Sequence, residues 1–133
     1  MADTTQSTDA TGYVLCDDMI FTSRITGTAQ ALGLKMKPAR SMAALQALIT
    51  GHWPNCIIVD LANPSLDLVE LLGFLKESGT NVPQVIAYGS HVDTATLKAA
   101  REAGCDVVLP RSKFVEDLPK ALAEWMASRS KAT

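Results

Sequence analysis

The sequence predicts an α/β domain: a doubly wound, five-stranded parallel sheet of strand order 2-1-3-4-5, sandwiched between helices. Three observations carry this. Five short apolar runs alternate with segments whose apolar residues recur at helical spacing, giving strand-helix five times over with short connections. Most of the runs are rich in apolar and β-branched residues without polar alternation, as strands covered on both faces are. The exception is Leu34-Lys-Met-Lys-Pro38, where cations alternate with apolar residues and a proline follows, a composition that guards a sheet edge. With right-handed crossovers and the second strand at an edge, the order becomes 2-1-3-4-5, and strands one and three are neighbours.

Residues 1–11 are small, polar and aperiodic and read as a disordered tail; the domain is expected over 12–127, and 128–133 as a frayed tail. Tyr13–Cys16 is the first strand and ends in Asp17-Asp18. Phe21, Ile25, Ala29 and Leu32 mark the helix that follows, stopped by Gly33. After the edge strand, Ser41 caps a helix with the stripe Met42, Leu45, Leu48 and Ile49, ending at Gly51. Asn55–Asp60 is the third strand. Asp67 caps the next helix, with Glu70 three residues on, and Leu68, Leu71, Leu72 and Leu75 form its face towards Gly79. Gln84–Tyr88 follows Pro83 as strand four and runs into Gly89-Ser90-His91. Asp93 or Thr94 caps a helix carrying Leu97, Ala100 and Ala103 as far as Gly104. Cys105–Leu109 is strand five, cut off by Pro110. Phe114, Leu118, Leu122, Trp125 and Met126 line the last helix, as core or, near Trp125, as part of an exposed patch.

With 133 residues the chain is one domain's worth. Its hydrophobic fraction of 47%, charged fraction of 20% and net charge of -2 are those of an ordinary globular protein and give no basic field for nucleic acid. No run approaches the roughly 18 apolar residues of a membrane span. The first residues lack the basic and apolar regions of a signal peptide, so a cytoplasmic location is expected. Cys16, Cys56 and Cys105 are odd in number, have no Cys-x-x-Cys spacing and sit in apolar runs, as buried small hydrophobes do.

Candidate chemistry gathers outside the carboxyl ends of the strands. The expected order brings Asp17, Asp18 and Asp60 into one cleft at the topological switch point. Three acids in one cleft repel unless a cation joins them, and such an oxygen-rich site suits Mg²⁺. A carboxylate beside that metal can attack phosphorus to form an aspartyl phosphate. A second reading stands beside this one: Asp17 and Asp18 cap the first helix, and Asp67 caps its own.

Asp17-Asp18 after strand one, Asp60 after strand three, Pro64 and Asp67 at fixed spacing from it, Ala103-Gly104 before strand five and Pro110 after it resemble the receiver domains of two-component response regulators. The likeness spans Tyr13 to Trp125. It implies a flavodoxin-like (βα)5 fold, with Asp60 as phosphoacceptor, Asp18 as a direct Mg²⁺ ligand, Asp17 holding a metal-bound water and the Ala62 carbonyl completing the set. It also implies a hydroxyl at the end of strand four and a lysine at the end of strand five. The hydroxyl position falls on Gly89, with Ser90 one residue later, and the lysine position falls on Leu109. The glycine usual after the second acid is Leu68, and the aromatic switch position is Val107 or Val108. Gly89, Ser90 and Arg111 are the candidate phosphoryl contacts, with Lys113 a second cation that could reach back. Loss of a charge-assisted partner costs roughly 1.5–3 kcal/mol, enough to weaken a phosphoryl switch.

The resemblance implies a single-domain signalling phosphoprotein, not an enzyme, that works through protein partners such as a histidine kinase or phosphotransfer protein. It also implies a homodimer through the last helices and strand five. Two versions compete: a phosphoacceptor that shifts between conformers, and a phosphorylation-independent pseudo-receiver. The rival from another class is a small flavodoxin-like enzyme or flavin carrier, against which stands the lack of Gly-x-Gly-x-x-Gly or Gly-x-x-x-x-Gly-Lys loops. Ser90, His91 and Asp93 lie too close in one loop for a catalytic triad. His52-Trp53, at the amino end of the sheet, reads as surface packing.

Overall fold

The computed structural model describes residues 10–77, 79 and 81–127; of the two expected tails, residues 1–9 and 128–133 lie outside the described residues. The elements are β1 (Thr11–Leu15), α1 (Met19–Ala31), β2 (Lys35–Ala39), α2 (Met42–Gly51), β3 (Cys56–Asp60), α3 (Leu68–Lys76), β4 (Gln84–Gly89), α4 (Thr94–Ala103), β5 (Val107–Pro110) and α5 (Arg111–Trp125). The strands form one parallel sheet of order β2-β1-β3-β4-β5, the order the sequence predicts.

Strand β1 begins earlier than its apolar run. Thr11, expected in the tail, is buried, registers with Lys35, and accepts from Asn55 N at 2.8 Å. Neighbouring strands on both sides supply the partners that backbone groups need, so pairing extends past the apolar residues. At the edge, Cys16 N donates to Ala39 O at 3.0 Å. Alternate residues of β2 therefore face β1, and Pro38 turns outward, where its missing N–H costs no ladder bond and offers no donor to an added strand.

Strand alternation builds two cores. Tyr13, Leu15, Ile57, Val59, Val85 and Ala87 pack under α2, α3 and α4, an almost wholly aliphatic layer. Val14, Cys16, Ile58, Ile86 and Tyr88 pack under α1 and α5. On this second face Phe21 and Phe114 flank Tyr88, with ring centroids 4.9 Å and 4.6 Å away, and Trp125 stacks on Phe114 at 5.8 Å. Trp125 is only 7% exposed, so the exposed-patch reading of it does not hold; the aromatic stack buries it. Pro119 lies within α5, whose backbone nonetheless stays helical through Trp125.

The capping readings of Ser41, Asp67 and Asp93 hold: each side chain accepts from a backbone N–H in the first turn of its helix. Gly104, at φ 113°, ends α4 in the left-handed region that favours glycine. Pro110 is at once the last residue of β5 and the N-cap of α5. All three cysteines are free, and burial pushes the thiol of Cys105 up to about 11. Among the described residues no helix is long and apolar enough to cross a membrane.

Candidate functional site

Strand β3 ends on Asp60, which is 6% exposed. Across the sheet it registers with Tyr88 of β4, which in turn registers with Leu109 of β5. The neighbour of Asp60 on β4 is thus Tyr88, not Gly89. Gly89, where the resemblance puts the hydroxyl position, is the next and last residue of β4.

The Asp60 carboxylate is engaged inside the protein. Its Oδ1 accepts from Ala62 N at 2.9 Å, and its Oδ2 lies 3.7 Å from the thiol of Cys16. Tyr88 Oη donates to the same sulfur at 3.3 Å. A phenol, a thiol and a carboxylate therefore form a buried polar chain on the aromatic face. Burial foremost, then the bond to Cys16 and the nearby charge of Asp60, holds the Tyr88 phenol well above the usual range; Arg111 opposes that shift.

The acids of the β1–α1 turn go elsewhere. Asp18 is the N-cap of α1, its Oδ1 accepting from Ile20 N at 2.9 Å and Phe21 N at 3.1 Å, the orphan donors of a first helical turn. Asp17 is exposed and lines a cavity of about 260 Å³ with Cys16, Met19, Thr22, Ser23, Pro38 and Arg40. Ala62 lines a different cavity, of about 70 Å³. Among the described residues no three His, Cys, Asp or Glu side chains stand close enough to hold a metal ion. Of the residues expected around Mg²⁺, Asp60 and Ala62 are hydrogen-bonded to each other, Asp18 caps α1 and Asp17 lines the larger cavity.

The candidate phosphoryl contacts do come together. Gly89, Ser90 and Arg111 line the smaller cavity with Leu61, Ala62, Asp93 and Thr96. A Cβ on Gly89 would lie 3.3 Å from the Leu61 side chain, a tight approach that the leucine would have to yield to by a few tenths of an ångström. Ser90 Oγ accepts from Val92 N at 3.3 Å, and the Arg111 guanidinium sits 5.9 Å from the centroid of the Phe21 ring, a cation–π contact. Lys113 does not reach back: it pairs with Asp117 one turn along α5 at 3.2 Å, which raises its pKa. His91 is exposed and Asp93 caps α4, so the Ser90, His91 and Asp93 loop builds no triad. At the opposite end, Trp53 Nε1 donates to Asn81 O at 2.8 Å, the packing role expected of it.

Sequence reasoning missed Cys16 and Tyr88 as members of the site, and it missed Asn63. Buried Asn63 donates to Arg40 O at 3.1 Å and accepts at Oδ1 from Ser65 N at 3.0 Å and Ser65 Oγ at 2.7 Å. Ser65 Oγ accepts in turn from Met42 N at 3.0 Å. The loop after Asp60 is thereby fastened to the start of α2. The Asn-Pro pair at 63–64 was the available signal, since asparagine before proline favours a turn closed by its own side chain.

Around this end of the sheet stand four exposed apolar side chains: Met19 (68%), Ile20 (80%), Val69 (75%) and Val92 (75%). They sit in the first turns of α1 and α3 and in the β4–α4 loop, the segments that follow β1, β3 and β4, an apolar rim in sequence placement at the carboxyl end.

No protein-family model and no curated protein sequence matches the chain. Solved structures do match it. A protein assigned as a response regulator from Chloroflexus aurantiacus superposes with a TM-score of 0.74 at 18% identity, over 88% of this chain and 97% of that one. The receiver domain of the Francisella response regulator 1452 gives 0.74 at 20% identity, over 94% and 100%. The chemotaxis response regulator CheY4 of Vibrio cholerae gives 0.73 at 16% identity, over 87% and 98%. The fold is that of response-regulator receiver domains.

Proposed function

We propose that this protein is a receiver-type signalling module that docks a protein partner at the carboxyl end of its sheet, and that Asp60 serves there as a structural carboxylate rather than a phosphoacceptor. The observation that carries this reading is the state of Asp60: nearly buried, with Oδ1 taking the Ala62 N–H and Oδ2 facing the Cys16 thiol. The capping role of Asp18 supports it, because that carboxylate already serves two backbone donors. So do Gly89 at the end of β4 and Leu109 in β5, which supply neither the hydroxyl nor the lysine that a phosphoryl group would need. The apolar rim of Met19, Ile20, Val69 and Val92 is the surface this reading offers a partner, since desolvating such side chains drives association. With Trp125 buried, the last helices and β5 are a weaker basis for a homodimer face than that rim.

A second reading, Mg²⁺-dependent phosphorylation of Asp60, is favoured by the cavity that gathers Ala62, Gly89, Ser90 and Arg111. Incubation with Mg²⁺ and a small phosphodonor such as acetyl phosphate, followed by intact-mass measurement, separates the two. The expected outcome is an unchanged mass. A phosphoryl adduct on the wild type that disappears in Asp60→Asn would establish the second reading instead.

A further inference from the structure

A groove of about 210 Å³ opens on the opposite, amino-terminal part of the sheet, lined by Thr11, Tyr13, Lys35, Lys37 and His52. Lys35 and Lys37 are exposed and register with Thr11 and Tyr13, so all four belong to the face of β1 and β2 beside α2. Among the described residues neither lysine has a carboxylate within ion-pair distance. Tyr13 Oη donates to Leu48 O at 3.1 Å and His52 O at 2.7 Å, which ties the end of α2 to β1 and holds His52 beside the lysines. The same bonds occupy carbonyl oxygens at the helix terminus that would otherwise repel an anion. In a chain of net charge -2, this is a local concentration of unpaired cations around a concave, polar surface.

We infer that this groove binds an extended acidic segment of a partner protein, with carboxylates at alternate positions. Charge complementarity selects the sign and strand geometry selects the spacing. Lys35 and Lys37 are two residues apart on one strand, so their side chains leave the sheet roughly 6.6 Å apart, the repeat at which an extended peptide presents residues i and i+2 on one side. Two carboxylates of such a segment meet both ammonium groups at once, with His52 at the end of the groove. The outward-facing Pro38 keeps the segment from joining the sheet as a sixth strand, so it lies across the side chains and is chosen by charge spacing. Two lysines and a histidine around a short groove make no continuous track for a phosphate backbone, which favours a peptide over nucleic acid.

Fluorescence polarisation on the full chain tests this with three labelled probes: a peptide with glutamate at every second position, a peptide of identical composition with its glutamates contiguous, and a single-stranded oligonucleotide. The alternating peptide should bind and the other two should bind more weakly. The Lys35→Ala/Lys37→Ala variant should weaken the alternating peptide by roughly tenfold, about what two exposed ion pairs contribute. Lys98→Ala, at an exposed lysine of α4 outside the groove, should leave its binding unchanged. Both lysines are exposed, and a thermal melt verifies that the double variant is folded. The inference fails if the alternating peptide does not bind, if the contiguous peptide binds as well, if the oligonucleotide binds more tightly, or if the folded double variant binds like the wild type.

Discussion

At the carboxyl end of the sheet, Asp18 and Asp60 are acceptors for backbone N–H groups, while at the amino end Lys35, Lys37 and His52 stand exposed around a groove with no partner among the described residues. The two ends differ in what their backbone demands. Helices start where strands end, so the carboxyl end is crowded with first-turn N–H groups, and carboxylates placed there are claimed as caps. At the amino end the nearby helix terminus presents carbonyls, which a tyrosine hydroxyl satisfies, and the cations are left over. The lesson is that an acid at a strand end counts as available chemistry only after the local donors have been served.

Three substitutions break or sharpen that contrast. The largest effect is expected for Asn63→Ala at the carboxyl end. It removes the bonds to Arg40 O and from Ser65 and should lower unfolding free energy by about 2–3 kcal/mol in urea titration. Asp18→Ala comes next, with a loss of about 1 kcal/mol from the uncapped α1, largely restored in Asp18→Asn. Unaltered stability in Asp18→Ala would place that carboxylate back among the free acids and undo the comparison. The smallest effect belongs to the amino end, where Lys35→Ala/Lys37→Ala should change stability by no more than about 0.5 kcal/mol in the same titration. A larger loss would mean that these lysines hold the edge strand and are not idle.

Much of the architecture was legible before any coordinates. The lysine-proline pattern at 34–38 named the edge strand, and from it the strand order followed. Ser41, Asp67 and Asp93 announced their helices because a cap is a local event, governed by residues three apart. The position of Asp60 at a strand end was legible for the same reason. The use of each side chain was not. Whether Asp18 turns towards Asp60 or back onto its own helix depends on competition between donors that spacing does not encode. Tyr88 became the neighbour of Asp60 only through strand register, and Thr11 joined β1 only because β2 and β3 flank it. Asn63 serves the start of α2, more than twenty residues earlier in the chain, a long-range bond with no trace in periodicity.

The stack of rings on the α1 and α5 face has an optical consequence. The chain holds two tryptophans, and they occupy unlike surroundings: Trp125 lies under the stack beside Phe114, while Trp53 is partly exposed, next in sequence to His52 of the basic groove. An aqueous quencher such as iodide reaches the second and is shielded from the first. The protein therefore carries its own pair of emitters, one reading the aromatic core that runs up to Tyr88 and the other reading the groove at the far end of the sheet.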